Sequence, residues 1–215
     1  MKMKNIKVYG LEESIKASGY PTRFGEPADL YTDEDLFISD KEFKRAVALG
    51  NSASGSGHGC FLKGITVNFD LQYSLYFTKQ IQRYHFIDFV SSQSTMYTLT
   101  KRKDVGEYCN SFTDQRVIDV INNSLRIYND MKKDEVRRIE FNGITTETDK
   151  HELFMTIVSN LPSGFELWAR FTTNYYQLQN IYKQRCNHKL DDWIEFCNYL
   201  EELPEFKRLC LTVKE

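Results

Sequence analysis

No run in this 215-residue chain approaches the ~20 consecutive apolar residues that a bilayer-crossing helix needs. The lysines between Met1 and Tyr20 have no apolar stretch behind them, so the start does not read as a signal peptide. Cysteine is sparse and scattered: Cys60, Cys109, Cys186, Cys197 and Cys210 are odd in number, and none stands in a close metal-ligand pair. They read as reduced thiols of a cytoplasmic protein, and none is expected to be catalytic, because free cysteine usually behaves as a small buried hydrophobe. His58, His85, His151 and His188 are isolated, with no HExxH spacing, so no metal site is expected. The chain also lacks an excess of charge, with a net −2, which gives no general affinity for nucleic acid or an anionic membrane surface. No internal repeat is visible.

What is present is an ordinary globular composition, 41% hydrophobic and 27% charged, in a length that suits one domain over residues 1–215. Residues 1–40 carry weak signals: Ile6 to Tyr9 reads as a short strand, and the Gly-Tyr-Pro and Gly-Glu-Pro stretches as irregular turns. Ser39 and Glu42 fit a capping box opening a helix through about Leu49. A Gly/Ser loop, residues 50–57, follows; it reads either as a flexible surface loop or as one whose amides approach a phosphate or flavin. It has neither a P-loop lysine nor dinucleotide glycine spacing.

Alternation of Ile65, Val67, Phe69 and Leu71 predicts a strand with one face buried, and Phe165, Leu167, Ala169 and Phe171 predict a second. Helices are predicted from about Ser74 to His85, through Val117, Ile121, Leu125 and Tyr128 to Met131, and from near Thr148 to before Leu161. Asn142-Gly143 is a turn signal. Asn174, Leu178, Ile181 and Arg185 share a face of another helix; Trp193, Phe196, Cys197 and Leu200 line the next, and Pro204 starts the last. Strands and helices interleave without regular βαβ spacing, so the fold class is α+β (mixed α/β), a central sheet flanked by helices.

Two polar clusters could carry chemistry. In Lys79-Gln80-Ile81-Gln82-Arg83-Tyr84-His85, Gln80 and Arg83 stand three apart and would share a helical ridge. An amide can pair with a base edge, and a guanidinium can grip a phosphate with two parallel hydrogen bonds. Ser91-Ser92-Gln93-Ser94-Thr95 adds hydroxyls and an amide; taken alone the whole stretch is also what a solvated polar face looks like. The second cluster is Asn174, Asn180, Arg185, Asn187 and His188. Asn174 and Arg185 are eleven residues apart, about three helical turns, so they align on one face. That pattern fits an interface helix equally well, and His188 fits a local cap.

The order of these motifs resembles the flavin-dependent thymidylate synthase family, in its short phage-type form and as a diverged member. His58-Gly59-Cys60-Phe61 running into the Ile65 to Leu71 strand resembles the histidine-led segment of that family. Lys79 to His85 resembles Arg-Gln-x-x-Arg-His-Arg, and Ser94-Thr95-Met96-Tyr97 resembles Ser-x-Arg-Tyr. Asn174 and Asn180, followed by Arg185, His188 and Trp193, resemble Asn-x-Arg-x-Leu-x-Asn with its trailing Arg and His-Ala-Gln-Trp. The resemblance covers residues 55–100 and 150–200. It departs where family cations become Tyr84, His85, Met96, Tyr176 and Thr156. Lys79, Arg170 or Arg185 would have to supply the lost charge, or the ligand has changed.

The resemblance implies a thymidylate synthase complementing protein-like fold and a homotetramer in the cytoplasm, that of a bacterial host if the chain is phage-encoded. It implies methylation of dUMP to dTMP with methylenetetrahydrofolate, reduced FAD and NADPH. Ser94 and Arg185 would be catalytic, with Gln80, Arg83, Ser94 and Arg185 on the nucleotide. His58, Arg83, Ser92, Gln93, Asn174, Asn180 and His188 would hold the flavin. The alternatives are a phage enzyme that modifies another pyrimidine nucleotide, and a non-catalytic relative that binds a nucleotide or a host protein.

Overall fold

The structure is a computed structural model that describes residues 1–26, 38–53, 55–141 and 143–211. Pro27 of the Gly-Glu-Pro turn, Ser54 of the Gly/Ser loop and Asn142 of the Asn-Gly turn lie outside the described residues. The elements in order are β1 (Lys2–Tyr9), α1 (Leu11–Ala17), α2 (Asp40–Gly50), β2 (Thr66–Ser74), α3 (Leu75–Ile81), β3 (Asp88–Ser92), α4 (Thr95–Thr98), α5 (Gln115–Asp130), β4 (Val136–Phe141), β5 (Ile144–Asp149), α6 (Lys150–Ser159), β6 (Glu166–Asn174), α7 (Tyr175–Arg185), α8 (Asp191–Glu201) and α9 (Phe206–Cys210). A four-stranded sheet has the order β1-β2-β6-β3, and β4 and β5 form a separate antiparallel pair. This is the expected mixed α/β class. Among the described residues no helix is long and apolar enough to cross a membrane.

The described chain divides into two compact units: Met1–Leu71 with Ile81–Ser91 and Ala169–Glu215, and Gln72–Gln80 with Ser92–Trp168. In the first unit the predicted alternation is realised, with Ile65, Val67, Phe69 and Leu71 buried, and Ala169 and Phe171 buried on β6. Phe69 stacks on Phe171 at 5.5 Å and meets Phe196 of α8 edge-on at 6.0 Å, so sheet and helix share one aromatic layer. The predicted apolar face of α8, Trp193, Phe196, Cys197 and Leu200, is buried throughout. Burial pushes the Cys197 thiol up to about 12, which suits an inert core cysteine.

Helix α2 begins as predicted. Ser39 Oγ accepts from the Glu42 amide at 3.4 Å, and Glu42 Oε2 accepts from the Ser39 amide at 3.0 Å. These Ser39 bonds hold the Glu42 carboxyl below its usual range. At the other end of α2, buried Gly50 lies where a Cβ would come within 2.1 Å of the Leu209 carbonyl oxygen. The amide of buried Gln179 on α7 donates to the carbonyls of Gly50 and Cys210, each at 2.8 Å, and so ties α2, α7 and α9 together.

The second unit packs α5 and α6 around its own core of Leu99, Val105, Ile118, Ile121, Leu125, Leu153, Ile157 and Phe165. Asp114 caps α5, its Oδ1 accepting from the Arg116 amide at 2.8 Å. Asp149 and Glu152 form a second capping box at α6.

Several boundaries differ from the sequence reading. The helix expected to reach His85 ends at Ile81, its last buried apolar residue. The following Gln82 and Arg83 form a turn, and Phe86 sits at φ 62°, outside any helix. On α5 the core side is Ile118 rather than Val117, which is 39% exposed. Thr148 belongs to β5, and Asp149 caps α6, so that helix starts two residues later than expected. Pro204 precedes α9 instead of opening it. Strand β3 and the β4–β5 hairpin have no counterpart in the sequence reading.

Candidate functional site

The turn that follows α3 and one flank of α7 frame a cleft in the first unit. Helix α7 opens at Asn174, whose side-chain oxygen accepts from the Gln177 amide at 2.9 Å. Helical spacing then sets Gln177, Asn180 and Gln184 along one flank, while Leu178 and Ile181 turn inward and are fully buried. Opposite them, the turn after α3 carries Arg83, Tyr84, His85 and Phe86. Its geometry is held by Thr173 of β6, whose hydroxyl donates to the Phe86 carbonyl at 2.7 Å. Lys63 and Tyr176 close the wall, the Lys63 ammonium 5.1 Å from the centre of the Tyr176 ring. The backbone explains why they meet, since the Tyr175 amide donates to the Ile65 carbonyl at 3.0 Å.

The cleft has a volume of about 750 Å³, within the roughly 300–1,000 Å³ of small-molecule and cofactor pockets. Its ten lining residues include a lysine, an arginine, a histidine and four side-chain amides, and no carboxylate. An anion with hydrogen-bonding edges is the ligand such a wall stabilises.

Of the residues predicted from sequence, Arg83, Asn174 and Asn180 come together in this cleft. His58, Arg185 and His188 lie in the same unit but are not among its lining. His58 is exposed, at the start of a short 3₁₀ turn. His188 sits in the connection between α7 and α8, where its Nδ1 accepts from the Leu190 amide at 3.1 Å. Arg185 donates from Nε to the Tyr84 hydroxyl at 2.6 Å, and its guanidinium lies 5.0 Å from the centre of the Trp193 ring.

Gln80, Ser92, Gln93 and Ser94 fall in the second unit. Because α3 stops at Ile81, Gln80 and Arg83 do not share the helical ridge expected of them. Ser92 ends β3, and Gln93 pairs with Trp168 twice: its amide donates to the Trp168 carbonyl at 2.9 Å and its side-chain oxygen accepts from the Trp168 amide at 3.2 Å. Ser94 precedes α4 and gives its carbonyl to the Thr98 hydroxyl at 2.8 Å.

Lys63, His85, Tyr176, Gln177 and Gln184 are lining residues that sequence reasoning did not place. Tyr176 and Gln177 stand inside the Asn174 to Asn180 motif, so proximity to motif positions was the available signal for them; Lys63 had no such signal.

No protein-family model and no curated protein sequence matches the chain. Solved structures do. The chain is similar to the flavin-dependent thymidylate synthase ThyX from Helicobacter pylori complexed with FAD and dUMP, at 15% identity and a TM-score of 0.67, covering 99% of this chain and 98% of that one. A second structure of Helicobacter pylori ThyX with FAD and dUMP gives 16% identity and a TM-score of 0.66, covering 99% and 100%. At that identity the likeness is one of architecture, and it runs over almost the whole length of each chain: this protein has a ThyX-like fold.

Proposed function

We propose that residues 1–215 form one flavin-dependent thymidylate synthase-like domain, a diverged, phage-type member that binds FAD and a pyrimidine nucleotide, dUMP first among them. The observation that carries this reading is the cleft itself. Two motifs some ninety residues apart in sequence, one running from Lys79 to His85 and one spanning Asn174 to Asn180, deliver side chains to one carboxylate-free wall.

The residues fit a flavin dinucleotide. Arg83 and Lys63 suit its diphosphate, the amides of Asn174, Gln177 and Asn180 suit the edges of its ring system, and Tyr176 and the 72% exposed Phe86 offer ring faces. In this reading His58, Ser92, Gln93 and His188 complete the flavin's surroundings. Gln80 and Arg83 hold the pyrimidine and its phosphate, and Ser94 lies beside the reacting base. Arg185, its Nε committed to Tyr84, keeps its two Nη groups for the uracil carbonyls and favours the charge that develops on the ring. Bound FAD, reduced at the expense of NADPH, supplies hydride, and methylenetetrahydrofolate supplies the methylene group that becomes the methyl of dTMP. The protein's share is placement and electrostatics, in a homotetramer working in the cytoplasm of a bacterial host.

The test is the visible absorption spectrum of purified protein with FAD, with and without dUMP. A flavin band that survives desalting and shifts on adding dUMP supports the reading and leads to a tritium-release assay on dUMP. Arg83→Ala should abolish both effects; unchanged binding in that variant would remove this cleft from the nucleotide hypothesis.

A second reading, a non-catalytic relative, is favoured by the missing cations. Met96 is 49% exposed, and the Thr156 hydroxyl is turned back onto its own helix, donating to the Glu152 carbonyl at 2.9 Å. It predicts neither a flavin band nor turnover. A thermal-shift panel comparing dUMP with dCMP separates the third reading, an enzyme that modifies another pyrimidine nucleotide.

A further inference from the structure

We propose that Lys63 is an anion-binding residue of the cleft, pairing with Arg83 to hold a phosphate or diphosphate group. It would replace, from a different element, the arginine that the family motif carries where this chain has Tyr176. The choice of ligand rests on the reading above; the placement of the charge does not.

Substitution of an arginine by Tyr176 removes a cation from the middle of the Asn174 to Asn180 motif. The sequence offers Lys79, Arg170 and Arg185 as replacements. Arg170 is already spent: its Nη1 donates to Asp70 Oδ1 at 3.1 Å and to the Asn5 carbonyl at 3.0 Å. Arg185 is held by Tyr84 through Nε, with Trp193 beside it. Neither of these, nor Lys79, is among the lining residues, whereas Lys63 is.

The ammonium of Lys63 lies 5.1 Å from the centre of the Tyr176 ring, a cation–π distance that keeps the charge against the cleft wall. The substituted position therefore serves as the seat for a cation arriving from the segment before β2. None of the ten lining residues is an acid, so no carboxylate of the wall neutralises Lys63 or Arg83. Arginine grips a phosphate through a planar fork, while lysine acts as a compact point charge with three donors. This wall has one of each, an arrangement suited to two linked phosphoryl groups or to one phosphate monoester approached from two sides.

The experiment is a calorimetric titration of FAD, and separately of inorganic pyrophosphate, into wild type, Lys63→Gln, Lys63→Arg and the control Lys79→Gln. Lys63 is exposed, so the variants should fold as the parent does. One lost charge-assisted hydrogen bond corresponds to a loss of roughly tenfold or more, so Lys63→Gln should weaken both ligands by at least that factor. Lys63→Arg should stay within about threefold of wild type because the charge is kept. Lys79→Gln should bind as wild type does.

If Lys63→Gln binds both ligands as tightly as wild type, the assignment is overturned, while FAD binding by wild type would still support the flavoprotein reading. If pyrophosphate binds in a Lys63-dependent way and FAD does not bind, the anion site stands and the flavin reading falls. If wild type binds neither, both are overturned.

Discussion

The Tyr84 hydroxyl accepts a 2.6 Å hydrogen bond from Arg185 Nε and donates one of 3.1 Å to Gln184 Oε1. Arg185 is thereby fixed before any ligand arrives, its guanidinium 5.5 Å from the Tyr84 ring centre and 5.0 Å from that of Trp193. A bond from a charged donor contributes about 1.5–3 kcal/mol when well shielded, and this one is only part-buried, so a coupling of about 1 kcal/mol is expected. A double-mutant cycle of Tyr84→Phe and Arg185→Gln in urea denaturation measures it. Additive losses would mean that the two side chains do not work as a unit.

Gln179 is a buried amide whose two donated bonds both end on carbonyls, those of Gly50 and Cys210. Gln179→Leu keeps the bulk and orphans both acceptors. Each buried unpaired group costs about 1–3 kcal/mol, so a loss of roughly 2–6 kcal/mol in urea is expected, with the m-value unchanged. Gly50→Ala should be comparably damaging for a different reason, because its Cβ would meet the Leu209 carbonyl oxygen at 2.1 Å. A loss under about 0.5 kcal/mol in Gln179→Leu, the size of an ordinary surface change, would contradict the bridge.

How much of this was legible depended on whether burial left a pattern. Strands β2 and β6 were readable because one face of each is buried, which forces the alternation seen at Val67, Phe69 and Leu71 and again at Leu167, Ala169 and Phe171. Strand β3 was not: its Phe89 and Val90 are adjacent and exposed, and no buried face stamps its sequence. The β4–β5 hairpin likewise carries exposed Val136 and Ile144, leaving only the Asn-Gly turn as a sign of it. In the cleft, Arg83, Asn174 and Asn180 were recoverable from motif spacing. Lys63 was not, because its place depends on a long-range pairing, the Tyr175 amide on the Ile65 carbonyl, that spacing along the chain does not encode.

Asp114 gives the pH dependence a defined window. Hydrogen bonds from the Arg116 side chain and backbone, with the ion pair behind them, hold its carboxyl down at about 2 against an ordinary 3.8. A depressed carboxylate contributes stability above its unfolded value, and that contribution is lost as pH falls through the folded one. The stability difference between wild type and Asp114→Asn should therefore be constant above about pH 5 and shrink between pH 3.8 and about 2. Urea midpoints of the two proteins across that range decide it. A difference that grew on acidification would place the stabilising form of the cap on the protonated side.

Asn174 has two jobs that one substitution can separate. Its side-chain oxygen caps α7 through the Gln177 amide at 2.9 Å, and the same residue lines the cleft beside Arg83. Asn174→Asp preserves the capping oxygen, and aspartate at a helix N-terminus is about as favourable as asparagine, so stability should move by less than about 0.5 kcal/mol. The same change sets the first carboxylate into a wall that has none, facing an anionic ligand. FAD or pyrophosphate affinity should then fall by roughly tenfold, the effect of a like charge that costs about 1.4 kcal/mol. Asn174→Ala should behave in the opposite sense, losing about 1 kcal/mol of stability with the cap while adding no repulsion. Paired urea and calorimetric titrations of the two variants read both effects. If Asn174→Asp bound FAD and pyrophosphate as wild type does, Asn174 would be a helix cap and nothing more.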